Sequence, residues 1–235
     1  MIEKEILDGI KGEGPLQAEI PIRPLEQIRL RPNVIFDIVY NKKVLHLGCT
    51  DHMSVIDYKL ENGIYLHQQL SRVSSECVGI DINSETTEYL SKRGITNIIV
   101  QDITQPGIDT ILDNQWDYLL MAEVLEHIDN PVAFLKDIAT LYKSNIHSVI
   151  ITVPNALGYI SVVEALNNGR ESINNDHRYW FTPFTLCKVA YQAGLILDEL
   201  IMCVYENSSQ AAHANRTLLK NKPLLMDTIL LVAHW

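Results

Sequence analysis

Short apolar runs that each end in a glycine or a carboxylate, separated by stretches of helical period, constrain this chain more than any other feature. The first, Lys43-Val44-Leu45-His46-Leu47-Gly48, stops at a glycine and breaks into the polar Cys49-Thr50-Asp51-His52. A buried parallel strand reads this way where its carboxyl end opens into a binding turn. Glycine lets the backbone turn sharply there and lie close to a ligand, because no Cβ stands in the way. The second run, Cys77-Val78-Gly79-Ile80-Asp81, ends in a carboxylate about thirty residues later, the length of one βαβ unit. An acidic residue at that place is the usual partner of ribose hydroxyls. Gly48 and Asp81 together mark a nucleoside-cofactor site.

The alternation continues along the chain. Strands are expected at 43–48, 76–81, 97–101, 116–121, 147–153, 195–205 and 226–233. Helices are expected at 64–73, from Asn83 or Ser84 to Gly94, from Pro131 to Lys143, at 156–168, and from Thr182-Pro183 to Ala193. Residues 51–63 read as a long polar connection and 206–224 as a polar loop, with Tyr58, Tyr65 and His67 on ordinary surface. Strand–helix alternation means a Rossmann-like, doubly wound α/β sheet of seven strands. With no helix expected between the final two strands, the last strand returns as an antiparallel hairpin partner and the rest of the sheet is mostly parallel. Residues 1–41 form an N-terminal arm or lid segment with a helix starting near Pro32; residues 42–235 form the single main domain.

The formal charge of −10 argues against nucleic acid or an anionic membrane as the partner and favours a small molecule. Arg23, Arg29 and Arg31 are the only crowded cations, and they read as a solvated face. Cys49, Cys77, Cys187 and Cys203 lack metal-type spacing and three sit in or beside apolar runs, as buried reduced thiols do. The first residues, Met1-Ile2-Glu3-Lys4-Glu5, do not read as a secretory signal, and no apolar run reaches membrane-spanning length, so a cytoplasmic protein is expected.

Strands two, three and four end in Asp81, Asp102 and Glu123, three carboxylates whose mutual repulsion calls for a cationic ligand or a metal. A sulfonium or ammonium group suits them better than a pyrophosphate. With these residues in place the chain resembles the class I S-adenosylmethionine-dependent methyltransferases over about residues 43–205. His46-Leu47-Gly48-Cys49 matches the family's glycine turn, Trp116-Asp117-Tyr118 leading into Glu123–Ile128 its fourth-strand motif, and Ile151–Asn155 its fifth. His177–Pro183 followed by Ala193-Gly194 is similar to a stretch of the small-molecule and sugar O-methyltransferases. The resemblance implies that S-adenosylmethionine meets Gly48, Cys49, Asp81, Ile82, Asp102, Ile103 and Glu123. It departs at the turn, where His46 replaces an acidic residue and Thr50 and His52 replace glycines, so Asp51 is a candidate for the cofactor's α-amino group.

Glu123, Glu126, His127 and His177 make an oxygen and nitrogen set suited to Mg²⁺ or Mn²⁺. The set resembles the metal site of small-RNA 2′-O-methyltransferases and, in part, that of quinone-pathway O-methyltransferases. Without a metal, His127 or His177 is the candidate catalytic base. The function expected is S-adenosylmethionine-dependent O-methylation of a small-molecule or sugar-like acceptor, with the arm available to a homodimer. The alternatives are a nicotinamide-dependent oxidoreductase and a non-catalytic methyltransferase-like binding subunit. The oxidoreductase would need a fuller glycine turn with its helix directly after, which residues 51–63 do not supply on this reading.

Overall fold

The computed structural model describes residues 4–13, 16–205 and 215–235. Its centre is a seven-stranded sheet: β1 (Lys43–Leu47), β2 (Glu76–Asp81), β3 (Ile98–Val100), β4 (Trp116–Ala122), β5 (Ile146–Pro154), β6 (Ile196–Cys203) and β7 (Thr228–His234). The spatial order is β3-β2-β1-β4-β5-β7-β6. All neighbours from β3 to β5 are parallel, and β7 runs antiparallel between β5 and β6. The order reverses between β1 and β4, so the crevice outside their carboxyl ends is where such a sheet binds ligands.

Side chains alternate across the pleat, so each strand feeds two apolar layers. Leu45, Leu119, Met121, Val149 and Ile151 enter the larger core with Leu135 and Ile138 of α7 (Pro131–Tyr142) and Leu186 of α9 (Pro183–Gln192). Val44, Leu120 and Ile150 face the other way, onto Val34, Ile35 and Val39 of α2 (Arg31–Val39) and Leu70 of α4 (Leu66–Val73). Both helices that open on an asparagine or threonine cap followed by proline do so as expected: Asn130 accepts from Ala133 N, and Thr182 exchanges bonds with Thr185 in a capping box. The remaining helices are α1 (Lys4–Lys11), α3 (Met53–Glu61), α5 (Ser84–Lys92), α6 (Asp109–Leu112), α8 (Tyr159–Asn168) and α10 (Arg216–Asn221).

Four expectations are corrected. Residues 51–63 are not an open connection, because α3 begins at Met53. Its Ile56 is fully buried in a separate apolar cluster with Tyr65, Leu90 and Ile95, and that contact gives an otherwise polar helix its place. A helix thus follows the Gly48 turn closely, so the spacing argument against a nicotinamide enzyme does not hold. Tyr65 and His67 are not surface residues; they are 1% and 0% exposed. Arg31 is 3% exposed, not part of a solvated face. The span read as a loop contains α10 and the 3₁₀ turn Pro223–Leu225, while its residues 206–214 lie outside the described residues. The antiparallel return of β7 holds all the same. The four cysteines are free and buried.

Candidate active site

At the end of β1, Gly48 has φ +66, and a Cβ built there would lie 2.5 Å from Val124 Cγ2. Glycine is therefore demanded twice, by the left-handed backbone and by a side chain from the turn after β4. Two residues on, Thr50 donates to Asp81 Oδ2 from its backbone N and its hydroxyl, each at 2.9 Å. Asn83 N donates to the other oxygen, Oδ1, at 2.9 Å. Asp81 is thus a buried carboxylate locked in orientation at the end of β2, with accepting capacity left on Oδ1. Thr50, which stands where a glycine was expected, is the residue that ties the turn to it. Cys49 packs against Gly79, where a Cβ would sit 2.6 Å from its Sγ. Burial raises the Cys49 thiol far above its ordinary value, with the Asp81 charge adding to this, so it is a packing group and not a nucleophile. Its carbonyl accepts from Tyr65 Oη at 2.7 Å.

The neighbouring candidates are placed differently. Ile82 projects outward at 76% exposed, whereas Ile103 is buried in the main core. Asp102 lies exposed beyond β3 and accepts locally from Thr104 N and Oγ1, at 2.9 and 2.7 Å. Asp51 is engaged by Lys59 Nζ at 2.8 and 2.9 Å.

Beyond β4 the chain turns through Glu123, one of two non-glycine residues with positive φ (58°) among the described residues. Such a conformation in a glutamate is strained and is held only by its surroundings. Here Glu123 N donates to Thr152 O at 3.0 Å, Thr152 Oγ1 donates to Glu123 Oε1 at 2.8 Å, and Arg31 Nη1 lies 3.4 Å from that same oxygen. Neither Arg31 nor Thr152 stands out in the sequence as a site residue.

The 3₁₀ turn Leu125–His127 follows and buries Glu126 completely, with no hydrogen-bond partner on either carboxylate oxygen. Burial, aided by the charge of Glu123, pushes its carboxyl up to about 9. One ligand atom each of Glu126, His127 and His177 lies within 4.8 Å of the others. The imidazoles meet edge to face, their centroids 4.7 Å apart. His177 is lowered from its ordinary value by burial and by His127. What brings residues fifty positions apart together is the clamp made by the next residue. Arg178 N donates to Glu126 O at 2.8 Å, its guanidinium reaches His127 O at 2.7 Å, and its Nε pairs with Asp129. Asp176, not singled out in the sequence, brings Oδ2 to 3.5 Å from His127 Nδ1. Of the four residues read as a metal set, three converge and Glu123 turns to Arg31 and Thr152.

A cavity of about 520 Å³ opens between α8 and the segment that leads to His177. Its walls include Ala156, Ser161 and Ala165 on the β5–α8 side and Arg170 and Trp180 from the segment that carries His177. Phe181, next to Trp180, is core, and its carbonyl accepts from Ala156 N at 2.8 Å. Among the described residues no helix is long and apolar enough to cross a membrane.

The chain and its fold are similar to known proteins. A family model described as a methyltransferase domain matches residues 29–200. The ubiquinone biosynthesis O-methyltransferase of Aeromonas salmonicida is 25% identical over 190 residues, covering 76% of this chain and 74% of that protein. Among solved structures, a SAM-dependent methyltransferase from Aquifex aeolicus superposes with a TM-score of 0.51 at 14% identity, covering 87% of this chain and 89% of that one. The small RNA methyltransferase HEN1 superposes with a TM-score of 0.56 at 13% identity, covering 94% of this chain and 27% of that one. These two structural likenesses bear on the fold alone.

Proposed function

The chain belongs to the methyltransferase-domain family and is an S-adenosylmethionine-dependent enzyme, and from that premise we propose that it methylates a hydroxyl of a small molecule at Glu126, His127 and His177, with the Trp180 cavity receiving the rest of the acceptor. The curated relatives named as O-methyltransferases support an oxygen acceptor. The single observation that carries the reading is Glu126: a buried carboxylate with both oxygens unpartnered, facing two imidazoles at the carboxyl edge of the sheet. A buried carboxyl group with no hydrogen bonds is costly and calls for a cation or a polar partner.

The residues present fit the methyl donor. Asp81, held by Thr50 and Asn83, would take a ribose hydroxyl on Oδ1, and Gly48 keeps the turn above β1 open to a close approach of backbone N–H groups. The acidic strand ends Asp81 and Glu123 would favour the positively charged sulfonium over a neutral product. Glu126, His127 and His177 fit a divalent cation, being one hard oxygen and two imidazole nitrogens. A bound dication would lower the pKa of the acceptor hydroxyl and orient its oxygen. The chain's own part is positioning: Arg178 fixes His177, and Trp180 and the small side chains of α8 shape the cavity. Methyl transfer there would join the acceptor oxygen to the methyl carbon in line as the carbon–sulfur bond breaks, leaving S-adenosylhomocysteine, with the hydroxyl proton passing to a neighbouring imidazole or to water.

A second reading is favoured by one observation. His177 meets His127 edge to face and is lowered from its ordinary value by burial and by His127, and its imidazole could take the hydroxyl proton without a metal. Methyl transfer to a panel of phenols and sugars by dialysed protein, with and without Mg²⁺, separates the two. Cation-dependent transfer that falls by about tenfold or more in Glu126→Gln supports the first reading. Transfer that ignores both chelator and Glu126→Gln overturns it in favour of His177.

A further inference from the structure

Arg31 is the only buried lysine or arginine among the described residues. It enters at the first turn of α2, held in place by the residues that directly follow β6. Its backbone N donates to Val204 O at 2.8 Å, and Val204 N donates to Arg29 O at 3.1 Å. The guanidinium lies 4.4 Å over the Tyr205 ring, with Nη1 3.4 Å from Glu123 Oε1. That oxygen also accepts from Thr152 Oγ1 at 2.8 Å. Glu123 is therefore held by a cation and a hydroxyl, in a strained backbone conformation, three residues before Glu126. It is not among the ligand atoms that converge on one point; Glu126, His127 and His177 are.

We propose that Arg31 is a positioning residue that withholds Glu123 from the cation site and so sets the number of protein ligands at three. The inference rests on the cation reading above. Mg²⁺ and Mn²⁺ sites are commonly six-coordinate. Three protein ligands leave room for an acceptor with one or two oxygens, whereas a second carboxylate would occupy one of those positions and bind the ion more tightly. The guanidinium suits this task because it is permanently charged, planar, and stackable on Tyr205, while an ammonium is none of the last two. The N-terminal arm thereby reaches the chemistry: α2 packs on the sheet, and its first residue decides what the turn after β4 can bind.

The test is Mn²⁺ affinity, read by electron paramagnetic resonance, for wild type, Arg31→Met, Glu123→Gln and the double variant, with folding monitored by melting in the presence of S-adenosylhomocysteine. Arg31→Met is expected to tighten Mn²⁺ by about tenfold, Glu123→Gln alone to change it by less than about threefold, and the double variant to lose the gain. Arg31→Lys, which keeps the charge but not the fork, is expected to lie between and serves if Arg31→Met does not fold. A gain that persists in the double variant would mean plain charge repulsion and overturns the proposal. So does a large loss in Glu123→Gln alone, which would make Glu123 a ligand, or no change in either Arg31 variant. Mn²⁺ binding seen only when Arg31 is replaced overturns both the cation reading for the native protein and the ligand number of three. Absence of binding in every variant overturns both.

Discussion

His46 and His67 face each other inside the fold, their Nδ1 atoms 3.2 Å apart and their rings stacked at 5.4 Å. Burial depresses His46 well below its ordinary value, with His67 and Arg31 adding to this, and burial lowers His67 to about 4. Cys77 Sγ lies 3.9 Å from His67 Nδ1, and Asn97 acts on His67 in the opposite sense to burial. A depressed histidine binds its proton more readily when unfolded, so its stabilising effect is complete above about pH 6.5 and is lost as the pH falls toward 4. The loss attributable to His67 is roughly 3 kcal/mol. Denaturant unfolding measured from pH 7 to 4 should show this slope, and His67→Gln should flatten it; an unchanged slope would contradict the assignment. Gly48 supplies a second residue-scale test. Gly48→Ala should cost at least about 1–2 kcal/mol for the left-handed backbone alone, with more from Val124, part of it recovered in Val124→Ala. Equal stability of Gly48→Ala and wild type would show that the turn can relax. The glycine and Asp81 were legible because strand-end residues announce themselves by position. Thr50 was not, since only the folded turn brings its N–H and hydroxyl to Asp81.

At the scale of elements, the strands were legible because burial on both faces makes them continuous apolar runs, as in Val149–Val153. Helix α3 was illegible because one residue, Ile56, carries its full burial, too little to set a period. Tyr65 and His67 misled for a related reason: each carries a polar group, and the Tyr65 hydroxyl is satisfied inside by the Cys49 carbonyl. Glu126 and His127 could be singled out from sequence, and so could His177, yet their meeting depends on the Arg178 clamp. Arg178 is half exposed, so its ion pair with Asp129 contributes less than about 1 kcal/mol to stability. Its effect on the site should be larger. Arg178→Ala is expected to leave the melting temperature nearly unchanged while weakening Mn²⁺ binding by about tenfold, as loss of a ligand-orienting contact does. A fall in stability without a change in Mn²⁺ affinity would assign Arg178 a structural part only.

For the whole molecule, alternation of strand and helix fixed the doubly wound sheet and its antiparallel last strand without reference to any one side chain. The negative charge of the chain and the three strand-end carboxylates pointed to a small cationic cofactor, and the family match agrees with that choice. Less visible was the way separate elements share the site: α2 supplies Arg31, the turn after β4 supplies Glu126, and the segment before α9 supplies His177. Sequence distance hides such convergence, because each contributor is ordinary in its own neighbourhood. The most direct measurement of the central claim is calorimetric titration of S-adenosylhomocysteine into wild type and Asp81→Asn. One-to-one binding in wild type, weakened by roughly tenfold or more in Asp81→Asn, is the expected result, since a hydrogen bond to a charged group is worth about 1.5–3 kcal/mol. No binding to wild type, or equal binding by the two proteins, would contradict the account.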